Sequence, residues 1–420
     1  MVARGFRALI WLTLVGQSIW SSSMAAAPSP ESCVACHLAI DDDRLARPAQ
    51  EFAKDIHAAK GFGCISCHGG DAQTEGMEAM DPDKGYLGKP ERLQVVQVCG
   101  RCHADADFMK RFNPAMRVDQ VAEYYSSIHG RRLRDLDDPK VPTCVSCHPA
   151  HAIKPPSDPS SSVHPLRVAV TCGACHADAA YMQAYGIPTD QLPKYQESVH
   201  WMTMSVKGDL AAPTCNDCHG NHGAAPPGVL WVGNVCGQCH TVQAEFFAKS
   251  PHAQIFAQLG APGCATCHDN HEIKEAGAEM LGLGEKAVCA ACHAVQDKGG
   301  EVAAGMRALI DGLRSDYEKA STVLHQAERA GMEVSQARFE LTGANDALIK
   351  AGAAIHTFTL AAVQQETKVG LAISAKAYAR GLQALEELQF RRKGLALSVV
   401  IILGLIVGLV LKIGQIERGR

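Results

Sequence analysis

The sequence predicts a mainly α-helical protein with little regular structure over its first 300 residues, followed by a long-helix bundle and one apolar C-terminal helix. Three observations predict this order. All 18 cysteines lie before residue 293 and form nine pairs. Residues 301–393 contain neither cysteine nor proline, and residues 394–411 carry no charge. Only 5% of the chain is aromatic, so material other than aromatic side chains must fill a core of this size.

The two ends of the chain indicate its location. Residues 8–20 are an apolar run behind Arg4 and Arg7, followed by small residues. A run this short predicts a cleavable export signal over residues 1–27, with an uncleaved anchor as the alternative. Residues 394–411 are long enough to cross a bilayer, so we expect a transmembrane helix over 394–413 and a cytoplasmic tail over 414–420. We then expect the rest of the chain to lie in the periplasm or otherwise outside the cytoplasm, anchored once in the inner membrane.

Net charge excludes one class of partner. The chain has 40 Lys and Arg against 44 Asp and Glu, a formal net charge of −4. It lacks the basic field that holds a nucleic-acid backbone, so we expect no nucleic-acid partner.

The cysteine spacing carries most of the functional information. Each pair is Cys-x-x-Cys, and a histidine follows directly. The cysteines are Cys33, Cys36, Cys64, Cys67, Cys99, Cys102, Cys144, Cys147, Cys172, Cys175, Cys215, Cys218, Cys236, Cys239, Cys264, Cys267, Cys289 and Cys292. The histidines are His37, His68, His103, His148, His176, His219, His240, His268 and His293.

Cys-x-x-Cys-His is the attachment signature of c-type haem. Two thiols form thioethers with the porphyrin, and the adjacent imidazole provides the first axial nitrogen to iron. Zinc sites and disulfides are the alternatives, but zinc needs no histidine directly after each pair. The sequence therefore predicts nine covalently bound c-type haems. Nine motifs between residues 33 and 293 leave too little chain for a conventional core, so we predict a haem-wrapped domain over 28–300 whose apo-chain does not fold.

The motifs belong to an internal repeat of two haems. The second copy spans residues 99–151 and the third 172–222, and the offset is 71 residues from His129 to His200, from Cys144 to Cys215 and from His151 to His222. Residues 236–271 are a shorter fourth copy. Residues 33–68 are a degenerate first copy, with Gly69 and Gly70 where later copies have an extra histidine.

Histidines outside the motifs are predicted to be second axial ligands. Eight lie in the haem region: His57, His129, His151, His164, His200, His222, His252 and His271. His164 follows a Pro/Ser-rich stretch and has no counterpart in the other copies. Helical periodicity over 301–393 predicts two or three long amphipathic helices with a break at Gly331. His356 shares an apolar stripe with Ile349 and Leu360, so it is the predicted ninth ligand, against the alternative of a core histidine.

The chain resembles membrane-anchored multihaem c-type cytochromes. Its Ser-x-His and Pro-Thr-Cys-x-x-Cys-His-x-x-His modules are similar, over residues 33–293, to the bis-histidine electron conduits of anaerobic respiration. The helices after the last motif are similar in layout to those of the nitrite reductase and hydroxylamine oxidoreductase group. Two features differ from these relatives. No motif ends in lysine, as it does at the nitrite reductase active site, and the anchor is C-terminal rather than N-terminal.

Three functions are consistent with these features. The first is electron transfer between the quinone pool, or a membrane partner such as a quinone-reactive subunit, and periplasmic or extracellular redox acceptors. The second is a multihaem reductase or oxidase of a small nitrogen or sulfur compound at one five-coordinate haem. The third is a subunit of a haem filament, which the anchor disfavours. The number of filled axial positions distinguishes the first two, and the oligomeric state is open.

Overall fold

The computed structural model describes residues 32–224 and 235–419, which form two compact units. Unit 1 comprises the described residues up to 116 together with 144–154, and unit 2 comprises 117–143 with 155–419. The predicted signal peptide lies outside the described residues. Within them the structure is mainly helical and contains no strand, as the sequence predicts.

Unit 1 consists of short helices joined by tight turns. The α-helices are Ser32–Ala39, Asp43–Phe52, Ile56–Ala59, Ile65–His68, Arg92–His103, Ala106–Met109 and Cys144–Cys147, with 3-10 turns at Met77–Met80 and Pro82–Lys84. Aspartates start several of them: the Asp42 side chain accepts the Arg44 N–H, and Asp55 accepts the His57 N–H.

A glycine pair shapes the end of the first copy. Gly69 and Gly70 both have positive φ, and a Cβ on Gly69 would lie 2.0 Å from the Gly85 carbonyl oxygen. The chain returns there so that the His68 carbonyl accepts the Leu87 N–H at 2.8 Å. Only glycine tolerates this conformation and this close approach. The position three residues after the motif histidine, where later copies carry an extra histidine, is Asp71, whose carboxylate accepts hydrogen bonds from Thr74 and Lys84.

Unit 2 begins with a further series of short helices. The α-helices are Gln120–Ser126, Ile128–Leu136, Pro165–His176, Ala179–Met182, Gln191–Gln196, Val199–Ser205, Cys215–His219, Thr241–Ala248, Pro251–Leu259 and Ala265–His268. The 3-10 turns are Gln183–Tyr185, Cys236–Gln238, Ala278–Met280, Val288–Ala291 and Ile355–Thr357. Most attachment motifs in both units lie on a helical turn, where positions i and i+3 share one face. Each thiol pair is thereby presented to one side.

Three long helices complete unit 2 and are called here the first, second and third bundle helices: Lys298–Arg329, Ser335–Ala354 and Leu360–Arg418. Gly331 has a φ of 82° in the break between the first two. Buried side chains such as Leu324, Met332 and Leu341 form their common core. The third helix passes close to its neighbours at Gly370, where a Cβ would lie 2.7 Å from a methyl of Leu313.

The third bundle helix continues without interruption into the apolar run of residues 394–411. Its 59 residues extend about 88 Å at 1.5 Å per residue. The side chains of the apolar run are exposed, and the helix is long and apolar enough to cross a membrane. A single long apolar C-terminal helix is compatible with single-pass anchoring.

The apolar stripe predicted through His356 is wrong. His356 lies in the 3-10 turn Ile355–Thr357 between two helices, and Phe358 after it adopts the left-handed conformation with a φ of 53°. Ile349 is 65% exposed. The helical phase breaks at Phe358, so positions before and after it do not share a face.

Candidate haem-binding sites

Seven pairs of imidazoles face each other inside the two units. Each pair joins a motif histidine to a histidine outside the motifs, with ring centroids 5.9 to 6.3 Å apart. The pairs are His103 with His57, His68 with His151, His176 with His129, His240 with His200, His219 with His271, His293 with His252, and His268 with His356.

This spacing is the one that an iron between two imidazoles requires. A metal–nitrogen bond of about 2 Å on each side, plus about 1 Å from each nitrogen to its ring centroid, places the centroids about 6 Å apart. Within the described residues, no group of three or more His, Cys, Asp and Glu side chains converges as a metal site of its own. Paired imidazoles at this spacing fit haem, whose porphyrin supplies the other four ligands.

The pairs follow a regular order along the chain. The first motif of a copy is paired with a histidine of the preceding copy, as in His57 with His103 and His129 with His176. The second motif is paired with a histidine of the following segment, as in His219 with His271. His268 belongs to the second motif of the fourth copy, and it is paired with His356 of the bundle. Each site is thus completed by a neighbouring part of the chain.

Burial keeps many of these imidazoles neutral. Desolvation lowers the pKa of His129 to about 4, and it lowers the pKa of His151, His200, His268 and His356. A neutral imidazole retains the lone pair that binds iron. The electrostatic environment therefore favours the state of the side chain that acts as a ligand.

Hydrogen bonds at Nδ1 orient several rings. The Nδ1–H of His68 donates to the Gly88 carbonyl at 2.8 Å, and that of His356 donates to the Ala353 carbonyl at 3.0 Å. His57 and His293 donate instead to carboxylates, those of Asp55 and Asp297, at 2.8 and 3.1 Å. With Nδ1 as the donor, Nε2 is the nitrogen free to bind metal.

His252 is held differently. Its Nδ1 is buried without a hydrogen-bond partner, and its ring packs on Phe358 with centroids 3.9 Å apart. Phe256 also contacts it edge-on. The turn that carries His356 therefore contacts two sites, through His356 at one and Phe358 at the other.

Four predicted ligands stand outside these seven pairs. His37 and His148 belong to unit 1, and His164 and His222 to unit 2. His37 donates through Nδ1 to the Leu45 carbonyl at 3.1 Å. His164 is 5% exposed, and its Nδ1 accepts the Leu166 N–H at the start of a helix. Their roles as ligands stay predictions.

The thiols show a second regularity. The first cysteines of the two motifs in one copy contact each other through a thiol hydrogen bond, at Cys99 with Cys144, Cys172 with Cys215, and Cys236 with Cys264. The hydrogen bond lowers the pKa of Cys215 to about 7 and that of Cys236 to about 6. The two attachment sites of each of these copies therefore adjoin.

Comparison with known proteins agrees with this geometry. Residues 98–177 and 235–313 match the family described as "Cytochrome c554 and c-prime". The chain is also similar to "C-type polyheme cytochrome OmcC" of Geobacter sulfurreducens, with 33% identity over 208 residues, 45% of this chain. The match spans about a quarter (26%) of that relative's length. No solved structure matches the chain.

The motifs, the ring geometry and both matches support one class, a multihaem c-type cytochrome with covalently bound haem. The sequence analysis identified these histidines but not which of them face each other. It also did not identify Asp55 and Phe358, which contact them. A signal for Asp55 was present, because the other copies have serine two residues before the corresponding histidine.

Proposed function

We propose that the chain carries nine haems on its nine Cys-x-x-Cys-His motifs, holds them between paired imidazoles, and transfers electrons along them. The opposed imidazole pairs support this proposal most directly, because they fill both axial positions. A haem with two imidazole ligands supplies a one-electron ferric/ferrous couple and no open iron site. The two-haem copies, whose attachment sites adjoin, provide the succession of sites that electron transfer needs.

The proposed donor is the quinone pool or a membrane partner, and the proposed acceptor is a periplasmic or extracellular redox protein. The apolar end of the third bundle helix supports a membrane anchor, and an exported N-terminus would place the haems on the periplasmic side. His356 stands at the other end of the same helix, before Leu360. The proposed anchor and the turn that carries His356 therefore lie at opposite ends of the third bundle helix.

Low-temperature electron paramagnetic resonance of the oxidised protein tests the proposal. We expect low-spin signals only, and an intact mass that corresponds to nine covalent haems with no thiol left for alkylation. Fewer than nine haem increments in matured protein would contradict the attachment assignment. A high-spin haem in native protein would contradict the filled coordination.

One observation favours a second function, a reductase or oxidase with one open haem. His37 stands outside the seven pairs, and its Nδ1–H donates to the Leu45 carbonyl at 3.1 Å. His164, which has no counterpart in the repeat, uses Nδ1 as an acceptor, whereas the oriented imidazoles above donate from it. Carbon monoxide binding by native protein, lost when His37 is replaced, would support this alternative.

A further inference from the structure

Asp55 is a buried carboxylate inside the haem-binding region. Its side chain is 2% exposed, and it accepts three hydrogen bonds. Its Oδ1 accepts the backbone N–H and the Nδ1–H of His57, each at 2.8 Å, and its Oδ2 accepts the Ile153 N–H at 2.7 Å. A charge is rarely buried this deeply without partners, and here all the partners belong to ligand segments.

These hydrogen bonds connect two sites. His57 faces His103, and Ile153 lies two residues after His151, which faces His68. A backbone bond from the Ile56 N–H to the Ile153 carbonyl at 2.8 Å reinforces the connection. The Asp55 carboxylate therefore bonds to one ligand directly and fixes the segment that carries a second.

The third copy provides an internal control. There the Val199 N–H donates to the Ile273 carbonyl at 2.8 Å, which reproduces the Ile56 bond. The residue equivalent to Asp55 is Ser198, which is fully buried and accepts the Trp201 N–H at 3.1 Å. Serine also stands at positions 127 and 250. The backbone arrangement is shared, and the carboxylate is particular to the first copy.

We infer that Asp55 is a positioning residue that lowers the reduction potential of the haem attached at Cys99 and Cys102, an inference that rests on the proposed pairing of His57 with His103 on one iron. A carboxylate that accepts the Nδ1–H makes the imidazole a stronger donor through Nε2. A stronger donor stabilises ferric over ferrous iron and lowers the potential. The equivalent haem is attached at Cys236 and Cys239, and its ligand His200 lies two residues after Ser198. This haem lacks the carboxylate and has a higher reduction potential than the haem at Cys99 and Cys102.

The test replaces Asp55 by Asn, which keeps the shape, and by Ser, which the other copies carry. Both variants are made in the full-length, haem-loaded protein, and each haem is titrated by potentiometry monitored by electron paramagnetic resonance. We expect the reduction potential of one haem to rise. The expected change in its ferrous-to-ferric ratio is on the order of tenfold, which is about 59 mV for a one-electron couple. A smaller upward shift is expected at the haem of His68 and His151, which feels the same charge.

Two further variants sharpen the test. Asp42→Asn removes a helix-capping carboxylate in the same unit that contacts Arg44 and no imidazole, so it should leave the potentials unchanged. Ser198→Asp should lower the potential of the haem at Cys236 and Cys239. If Asp55→Asn stays low-spin and its titration matches that of native protein or of Asp42→Asn, the role of Asp55 is refuted. If instead His57→Ala creates no high-spin haem, the ligand pair itself is refuted.

Discussion

The motif region, residues 32–297, and the bundle, residues 298–393, are both helical but are stabilised differently. In the described chain both apolar clusters lie in the bundle and the segment 278–281 beside it. Buried apolar residues of the motif region are scattered, such as Val96, Leu133 and Met204. The bundle therefore packs on its own side chains, whereas the motif region arranges imidazole and thiol pairs, and the proposed haems would supply its buried apolar material. Helix content alone does not reveal what a region needs in order to fold.

The strongest test of this comparison is haem removal. Chain expressed without haem attachment should lose the structure of the motif region and keep that of the bundle, since both apolar clusters of the described residues are built mainly on the bundle helices. Limited proteolysis with mass spectrometry should leave a resistant fragment that begins near Lys298. A resistant haem-free fragment from the motif region would contradict the comparison.

The second test separates the anchor from both regions. Truncation before Gly394 should move fully haem-loaded protein from the membrane to the soluble fraction, because the described residues before the apolar run contain no other helix long and apolar enough to span. Haem content per chain should equal that of the full-length protein, which serves as the control. Truncated protein that still sediments with washed membranes would place the anchoring elsewhere.

The third test concerns the contact between the two regions. His356→Ala should create one high-spin haem that binds carbon monoxide, because His268 then has no imidazole opposite it. His325→Ala, at an exposed bundle histidine beside Glu328, should leave all spectra unchanged. Identical spectra of His356→Ala and native protein would show that the bundle does not provide a ligand.

The smallest expected effect lies within the bundle. Leu324 is fully buried in the bundle core, so Leu324→Ala should lower the free energy of unfolding by about 2–5 kcal/mol. Ile349 is 65% exposed, and Ile349→Ala should cost less than about 0.5 kcal/mol. Denaturation followed by circular dichroism measures both, and haem absorbance should show unchanged low-spin iron. Equal effects of the two substitutions would contradict the packing.

The local chemistry could be predicted from the sequence, because thiol spacing and the adjacent histidine are fixed by haem attachment itself. The long helices were predictable from their periodicity. The pairing order was not, since a motif histidine faces an imidazole of a neighbouring copy and the spacing does not encode which copy that is. His57 and His103, for example, are separated by 45 intervening residues that contain a complete second motif.

His356 lies opposite a motif histidine, but not on the helical stripe that the sequence predicted. The sequence analysis predicts it as a haem ligand, and in the structure its ring centroid lies 6.1 Å from that of His268. His356 lies in a 3-10 turn that ends at Phe358, a residue in the left-handed conformation. Without glycine or proline there, the sequence gives no local signal for the break. Tertiary packing of Phe358 on His252 accounts for it.

The continuity of the third bundle helix has a mechanical consequence. Between Leu360 and Lys393 it extends about 50 Å, so its N-terminal end lies about 50 Å from the apolar run. With that run in a bilayer, an ordinary tilt of about 20° would sweep the far end sideways by about 17 Å. A small change in tilt of the apolar run therefore gives a large displacement at the N-terminal end of the helix. Under the proposed anchoring, a redox partner near the membrane would meet a haem end that moves rather than a fixed target.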